Sequence, residues 1–217
     1  MAEPAARLYL VTPVLDDCTA FAPLLQAGCA AEGVAAVLAR LAPADERTLV
    51  NRVKTLAPAA QEHGAALVIA VEGEADLAAI AARGGADGVH LRGDLKRVRE
   101  LRERLKGERA IGVGGLRTRD DAMTLGEAGA DYLMFGEPRP DGTLPAFDGV
   151  VERAAWWAEI FETPCVAFAP DRAAVPALAA TRAEFIALGD AVWSHPSGAA
   201  AAAGLALEAL RQTGHRP

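Results

Sequence analysis

The chain has 217 residues, 52% hydrophobic and 24% charged, enough for one substantial domain. That balance excludes a disordered, collagen-like or coiled-coil polypeptide. A formal net charge of −7 argues against a nucleic-acid module, which would carry a basic footprint, and no apolar run approaches the roughly 18 residues of a membrane span. Cys18, Cys29 and Cys165 are too few and too scattered for a disulfide framework or a zinc site, and read as small buried hydrophobes. No basic segment followed by a long apolar one opens the chain, so the expected location is the cytoplasm.

In chain order, short continuous apolar runs predict strands at Leu8–Val11, Val34–Ala39, Ala66–Val71, Gly88–Leu91, Ala110–Val113, Tyr132–Phe135, Cys165–Phe168 and Glu184–Leu188. Runs that do not alternate with polar residues suit parallel strands buried on both faces. Helical periodicity fills the intervals. Leu95, Val98, Leu101 and Leu105 form one apolar stripe, with Asp94 standing where an N-cap belongs. Trp156 and Trp157 are adjacent on one helix and cannot both face inward; packing inward is expected of Trp156, and an outward Trp157 would mark a homo-oligomer face.

One unit recurs. Gly85-Ala86-Asp87-Gly88-Val89-His90-Leu91 matches Gly129-Ala130-Asp131-Tyr132-Leu133-Met134-Phe135, with a weaker echo at Arg182-Ala183-Glu184-Phe185. Gly85 and Gly129 read as helix C-terminal caps, and Asp87 and Asp131 as structural groups at strand starts. Eight strands alternating with helices at intervals near 25 residues predict an α/β fold, a (β/α)8 TIM barrel, as a single domain over 1–217 with the barrel proper at about 7–212.

Function in such a barrel belongs at the C-terminal ends of the strands. Those ends carry Arg40, Glu72, Arg92-Gly93-Asp94, Gly114-Gly115, Gly136-Glu137 and Gly189-Asp190. Arginine forks and glycine backbone amides suit an anion, and the last two loops of such barrels often hold phosphate. The set predicts a phosphorylated small molecule, with Mg2+ held by one or two carboxylates. Arg40 and Arg92 could instead be ion-paired to Glu72 or Asp94. His90 is either an acid or base facing the lumen or a hydrogen-bonded core histidine.

The motif order resembles the thiamine phosphate synthases and their thiazole tautomerase relatives. Leu8-Tyr9-Leu10-Val11-Thr12, Gly85 to Leu91 followed by Asp94-Leu95, Ile111-Gly112-Val113, and Gly129-Ala130-Asp131-Tyr132 through Phe135-Gly136 carry the likeness, over roughly residues 7 to 193. The resemblance implies a (β/α)8 barrel that joins hydroxymethylpyrimidine diphosphate to thiazole phosphate with Mg2+, releasing pyrophosphate. Carried over by position, Arg40 stands in the family's Gln-Leu-Arg-x-Lys pattern, here Leu38-Ala39-Arg40-Leu41-Ala42. Asp94 matches a metal ligand, Glu72 stands one place beyond another, and Thr143 is what remains of a Thr-x-Thr-Lys phosphate clamp. The strand ends and the resemblance together give Arg40, Arg92, Gly114, Gly115, Gly136, Thr143 and Gly189 for the phosphorylated ligand, and Asp94 with Glu72 for the metal. Two alternatives stay open: a diverged barrel that only binds a phosphorylated metabolite or a partner, and a tautomerase-type isomerase, whose acid/base His would follow the fifth strand where this chain has Gly114-Gly115-Leu116-Arg117.

Overall fold

The computed structural model describes residues 6–214; the stretches 1–5 and 215–217 of the expected domain lie outside the described residues. Eight parallel strands close in sequence order into a barrel: β1 (Arg7–Leu15), β2 (Val34–Leu41), β3 (Ala66–Val71), β4 (Gly88–Arg92), β5 (Ala110–Gly114), β6 (Tyr132–Phe135), β7 (Cys165–Ala169) and β8 (Phe185–Leu188). The connecting helices are α1 (Cys18–Cys29), α2 (Glu46–Gln61), α3 (Leu77–Gly84), α4 (Leu95–Leu105), α5 (Arg119–Glu127), α6 (Phe147–Ile160), α7 (Val175–Ala179), α8 (Asp190–Trp193) and α9 (Ala199–Gly214). Each predicted strand is present. The first runs further than expected, because Val14 and Leu15 pair with Arg40 and Leu41 beyond a register shift between Val11 and Val14. Pro13 sits inside that irregularity, where its missing N–H breaks no regular ladder.

Two apolar layers hold the barrel. The outer one packs Leu, Val, Ile and Ala of strands and helices against each other, with the three cysteines buried and free. The inner one fills the lumen with Tyr9, Val11, Leu38, Val68, Tyr132, Met134, Val166 and Phe168. Among the described residues no helix is long and apolar enough to cross a membrane.

The sequence repeat has a mechanical meaning. Asp87, just before β4, accepts the amide of Leu67 in β3 at 2.7 Å; Asp131, just before β6, accepts that of Ile111 in β5 at 2.7 Å. The weaker echo behaves alike, with Glu184 accepting the amide of Cys165 in β7 at 2.8 Å. Each acid ties the start of its own strand to the start of the preceding one. Gly85 ends α3 at φ 85°, a left-handed turn that an L side chain resists. Asp94 caps α4 as expected, accepting the Arg97 amide at 3.1 Å.

The tryptophan expectation is reversed. Trp157 is the buried one, 1% exposed, stacked on Phe161 with ring centres 4.0 Å apart and donating its indole N–H to the Thr163 carbonyl. Trp156 is half-buried, with the Arg119 guanidinium 4.7 Å over its ring. Trp157 therefore marks no oligomer face.

Candidate active site

Alternation along the strands points every second residue into the lumen. On β2 that row is Ala36, Leu38 and Arg40; on β4 it is Gly88, His90 and Arg92. Where the rows end at the C-terminal mouth, apolar side chains give way to charged ones. Arg40 donates to Glu72 Oε1 at 2.9 Å, and that carboxylate follows directly on β3. The alternative pairing of Arg92 with Asp94 does not form. Arg92 meets Glu137 Oε1 at 2.8 Å and donates to the Pro138 carbonyl, while Asp94 spends one oxygen on the helix cap.

Glu137 stands at a strand end but was not among the residues expected for ligand or metal. It leaves β6 two residues after Phe135 and turns back into the lumen, where its side chain is 10% exposed and its Oε2 lies 3.0 Å from His90 Nε2. The contact of Oε1 with Arg92 is close but poorly aligned for a hydrogen bond, so that buried oxygen keeps an acceptor without a donor. His90 Nδ1 lies 3.0 Å from the Tyr132 hydroxyl, which lies 2.8 Å from that of Tyr9. A continuous polar chain thus runs from the middle of the lumen to the mouth: Tyr9, Tyr132, His90, Glu137, Arg92. His90 is a hydrogen-bonded lumen histidine that also lines the cavity above it. Burial pushes the Glu137 carboxyl upward, but the His90 hydrogen bond and the attraction of His90, Arg92 and Arg40 outweigh it and hold the group below the ordinary glutamate range. Burial drives the Tyr9 and Tyr132 hydroxyls well above their usual range, so both remain protonated donors.

Two glycines make room for this chain. A Cβ on Gly112 would lie 2.0 Å from the Tyr132 ring, and one on Gly114 would lie 2.2 Å from Glu137 Oε2. The Gly112-x-Gly114 spacing on β5 was the available sequence signal. Two absent side chains on one lumen-facing row imply large neighbours entering there.

Two cavities open at the mouth. The smaller, about 320 Å3, is lined by Arg40, Glu72, Arg92 and Asp94 together with His90 and Glu137. The larger, about 680 Å3, is lined by Arg92, Gly115, Gly136, Arg117, Arg139 and Arg153 among others. Arg92 and Glu137 border both. Of the residues expected for ligand, Gly114, Thr143 and Gly189 line neither cavity. Gly114 serves Glu137. Thr143 is exposed and tied to Asp141 at 2.7 Å and to Arg139 at 3.1 Å. Gly189 packs against the Phe168 ring, and Trp193 donates to the Val11 carbonyl at 2.6 Å, closing the mouth beside β7 and β8.

Among the described residues no three His, Cys, Asp or Glu side chains cluster as a ready-made metal site. Glu72 and Asp94 nonetheless border one cavity, and each uses only one oxygen in the contacts above. Mg2+ usually takes one or two carboxylates and fills its shell with water and substrate phosphate, so this donor set fits it. The charge count agrees: Arg40, Arg92 and Arg97 line the smaller cavity against four carboxylates, Glu72, Glu74, Asp94 and Glu137.

A closed (β/α)8 barrel with arginines and carboxylates gathered at its C-terminal mouth has the architecture of a barrel enzyme, whose active site lies at that face. The family model described as thiamine monophosphate synthase matches residues 8–192, and the chain belongs to that family. It is 38% identical to a thiamine-phosphate synthase of Rhodospirillum centenum over 198 residues, 90% of this chain and 93% of that one. It is 34% identical to that of Hyphomonas neptunium, covering 92% and 91%. In fold it is similar to a thiamine phosphate pyrophosphorylase from Pyrococcus furiosus (TM-score 0.76, 20% identity, 95% of this chain and 96% of that one). A 3-hexulose-6-phosphate synthase superposes with TM-score 0.68 at 19% identity, covering 93% and 99%.

Proposed function

We propose that the chain is a thiamine-phosphate synthase, joining hydroxymethylpyrimidine diphosphate to thiazole phosphate with release of pyrophosphate. The observation that carries this reading is the convergence of Arg40, Arg92, Glu72 and Asp94 on one cavity, in a chain this similar to synthases over nine tenths of its length. In the reaction the bond from the exocyclic carbon to the diphosphate oxygen breaks, its electron pair leaving with pyrophosphate. The thiazole nitrogen lone pair then forms the new C–N bond. Arg40 and Arg92 present forked donors where charge builds on the leaving diphosphate. Glu72 and Asp94 would hold Mg2+, which when bound neutralises part of the diphosphate charge. Val11, Leu38, Ala70 and Met134 line the inner wall of the cavity and keep water from the electron-deficient carbon.

The test is pyrophosphate release from the two purified precursors. We expect turnover that requires both substrates and Mg2+, with Arg40→Gln lowering kcat/KM by about 10- to 100-fold, the worth of a charge-assisted hydrogen bond. Binding of both precursors with no pyrophosphate release would mean a barrel that binds without catalysing and would reject the synthase reading.

A further inference from the structure

The polar chain that climbs through the lumen has a direction. Its inner end, the Tyr9 and Tyr132 hydroxyls, stays protonated, while its outer end, the Glu137 carboxyl, stays ionised and can only accept. Glu137 Oε2, 3.0 Å from His90 Nε2, therefore receives the Nε2–H. Tyr132 then donates to His90 Nδ1 at 3.0 Å, and Tyr9 donates to the Tyr132 oxygen at 2.8 Å. Running the chain the other way would leave the Tyr9 hydrogen with no acceptor among the described residues, on a residue only 2% exposed.

The chain ends on Arg92. The side chains of His90 and Glu137 are 3% and 10% exposed, that of Arg92 38%, so a fixed interior carries a long arm at the mouth. An exposed arginine has much rotamer freedom to lose before it can meet a ligand in one pose. Two contacts restrain it: Nη1 lies 2.8 Å from Glu137 Oε1, and Nη2 donates to the Pro138 carbonyl. Of these two partners, Glu137 is the one tied into the lumen. Its Oε1 has no well-aligned donor, so the attraction of Arg92 is not what sets its place. His90 sets it, and Gly114 leaves the room for it.

We propose that Glu137 is a positioning residue: anchored from the lumen by His90, Tyr132 and Tyr9, its carboxylate holds the Arg92 guanidinium at the wall of the smaller cavity, ready for the leaving diphosphate. This role rests on the synthase reading of that cavity; the direction of the hydrogen-bond chain does not. Two effects of Glu137 on a bound anion oppose each other. Its charge repels the anion directly, whereas its hold on Arg92 keeps a forked donor in place. A residue that acts through Arg92 has the second effect outweigh the first, and loses it when Arg92 is gone.

A double-mutant cycle read by calorimetric titration of pyrophosphate in Mg2+ tests this without turnover. Glu137→Gln, nearly identical in shape, should weaken pyrophosphate binding about tenfold in the wild-type background and change it less than twofold in the Arg92→Gln background. Gly114→Ala keeps both charges but sets a Cβ 2.2 Å from Glu137 Oε2, forcing the carboxylate from its place. It should reproduce the loss, again only while Arg92 is present, and it decides the matter if Glu137→Gln folds poorly. Tighter binding in Glu137→Gln would show a carboxylate that merely repels. An equal loss with and without Arg92 would show a structural role, and a loss absent from Gly114→Ala would show that charge matters and placement does not. Each of these overturns the assignment while leaving the synthase reading standing. No pyrophosphate uptake by the wild-type chain at millimolar concentration would overturn both.

Discussion

Glu137 turns back into the barrel because Gly114 offers it no side chain to collide with, and the cost of burying its charge is offset by His90 and Arg92. Its carboxyl is held below the ordinary value in the folded chain, so its ionised form contributes stability. That contribution is present above the unfolded value, about 4.3, and is lost as pH falls through the lower folded value. Wild-type stability should therefore decline more steeply below about pH 4.5 than that of Glu137→Gln, which has no proton to take up there. Urea melts of both chains between pH 3 and 7 provide the check, and parallel curves would contradict the assigned role. Arg40, Glu72, Arg92 and Asp94 were legible in the sequence because each sits at or just beyond a strand end, and the barrel rule brings strand ends together. Glu137 was visible only as one member of such an end. Its partners stand 47 and 45 positions earlier in the sequence, and nothing local announces that its side chain reverses direction.

Between elements, the acids before β4, β6 and β8 bind the amides at the starts of β3, β5 and β7. This is why the fold was readable at the level of the repeat. The glycine stops the helix, the acid locks the incoming strand to its neighbour, and the apolar run follows. Removing one acid leaves a strand-edge amide without its charged acceptor, so Asp131→Ala and Glu184→Ala should each cost about 1–3 kcal/mol. The two act on different strand pairs, so the double variant should lose close to the sum. Both lie at the opposite end of the barrel from the cavities, and kcat/KM should be unchanged. Denaturant unfolding with steady-state kinetics measures both effects, and a kinetic loss without a stability loss would refute the structural role. The tryptophan pair could not be assigned from the same kind of reasoning. Helical spacing says that one of two adjacent rings faces in, but the choice of Trp157 follows from the Thr163 carbonyl and Phe161, which receive it only once the chain has turned after α6.

For the molecule as a whole, the charge of −7 is unevenly spent at the mouth. Three arginines face four carboxylates in the smaller cavity, while four face two in the larger. An anion therefore meets a net acidic wall in the first and a net basic one in the second. Opposite unit charges 4 Å apart near a protein surface attract by roughly 4 kcal/mol and like charges repel by as much, so one divalent ion is enough to reverse the balance in the smaller cavity. Pyrophosphate should bind the wild-type chain at least tenfold more tightly with Mg2+ than with EDTA, and Glu72→Gln with Asp94→Asn should abolish that difference while raising metal-free affinity. Calorimetric titration of pyrophosphate with and without Mg2+ measures the difference, and pyrophosphate binding equally well in EDTA would show that Glu72 and Asp94 do not hold a cation.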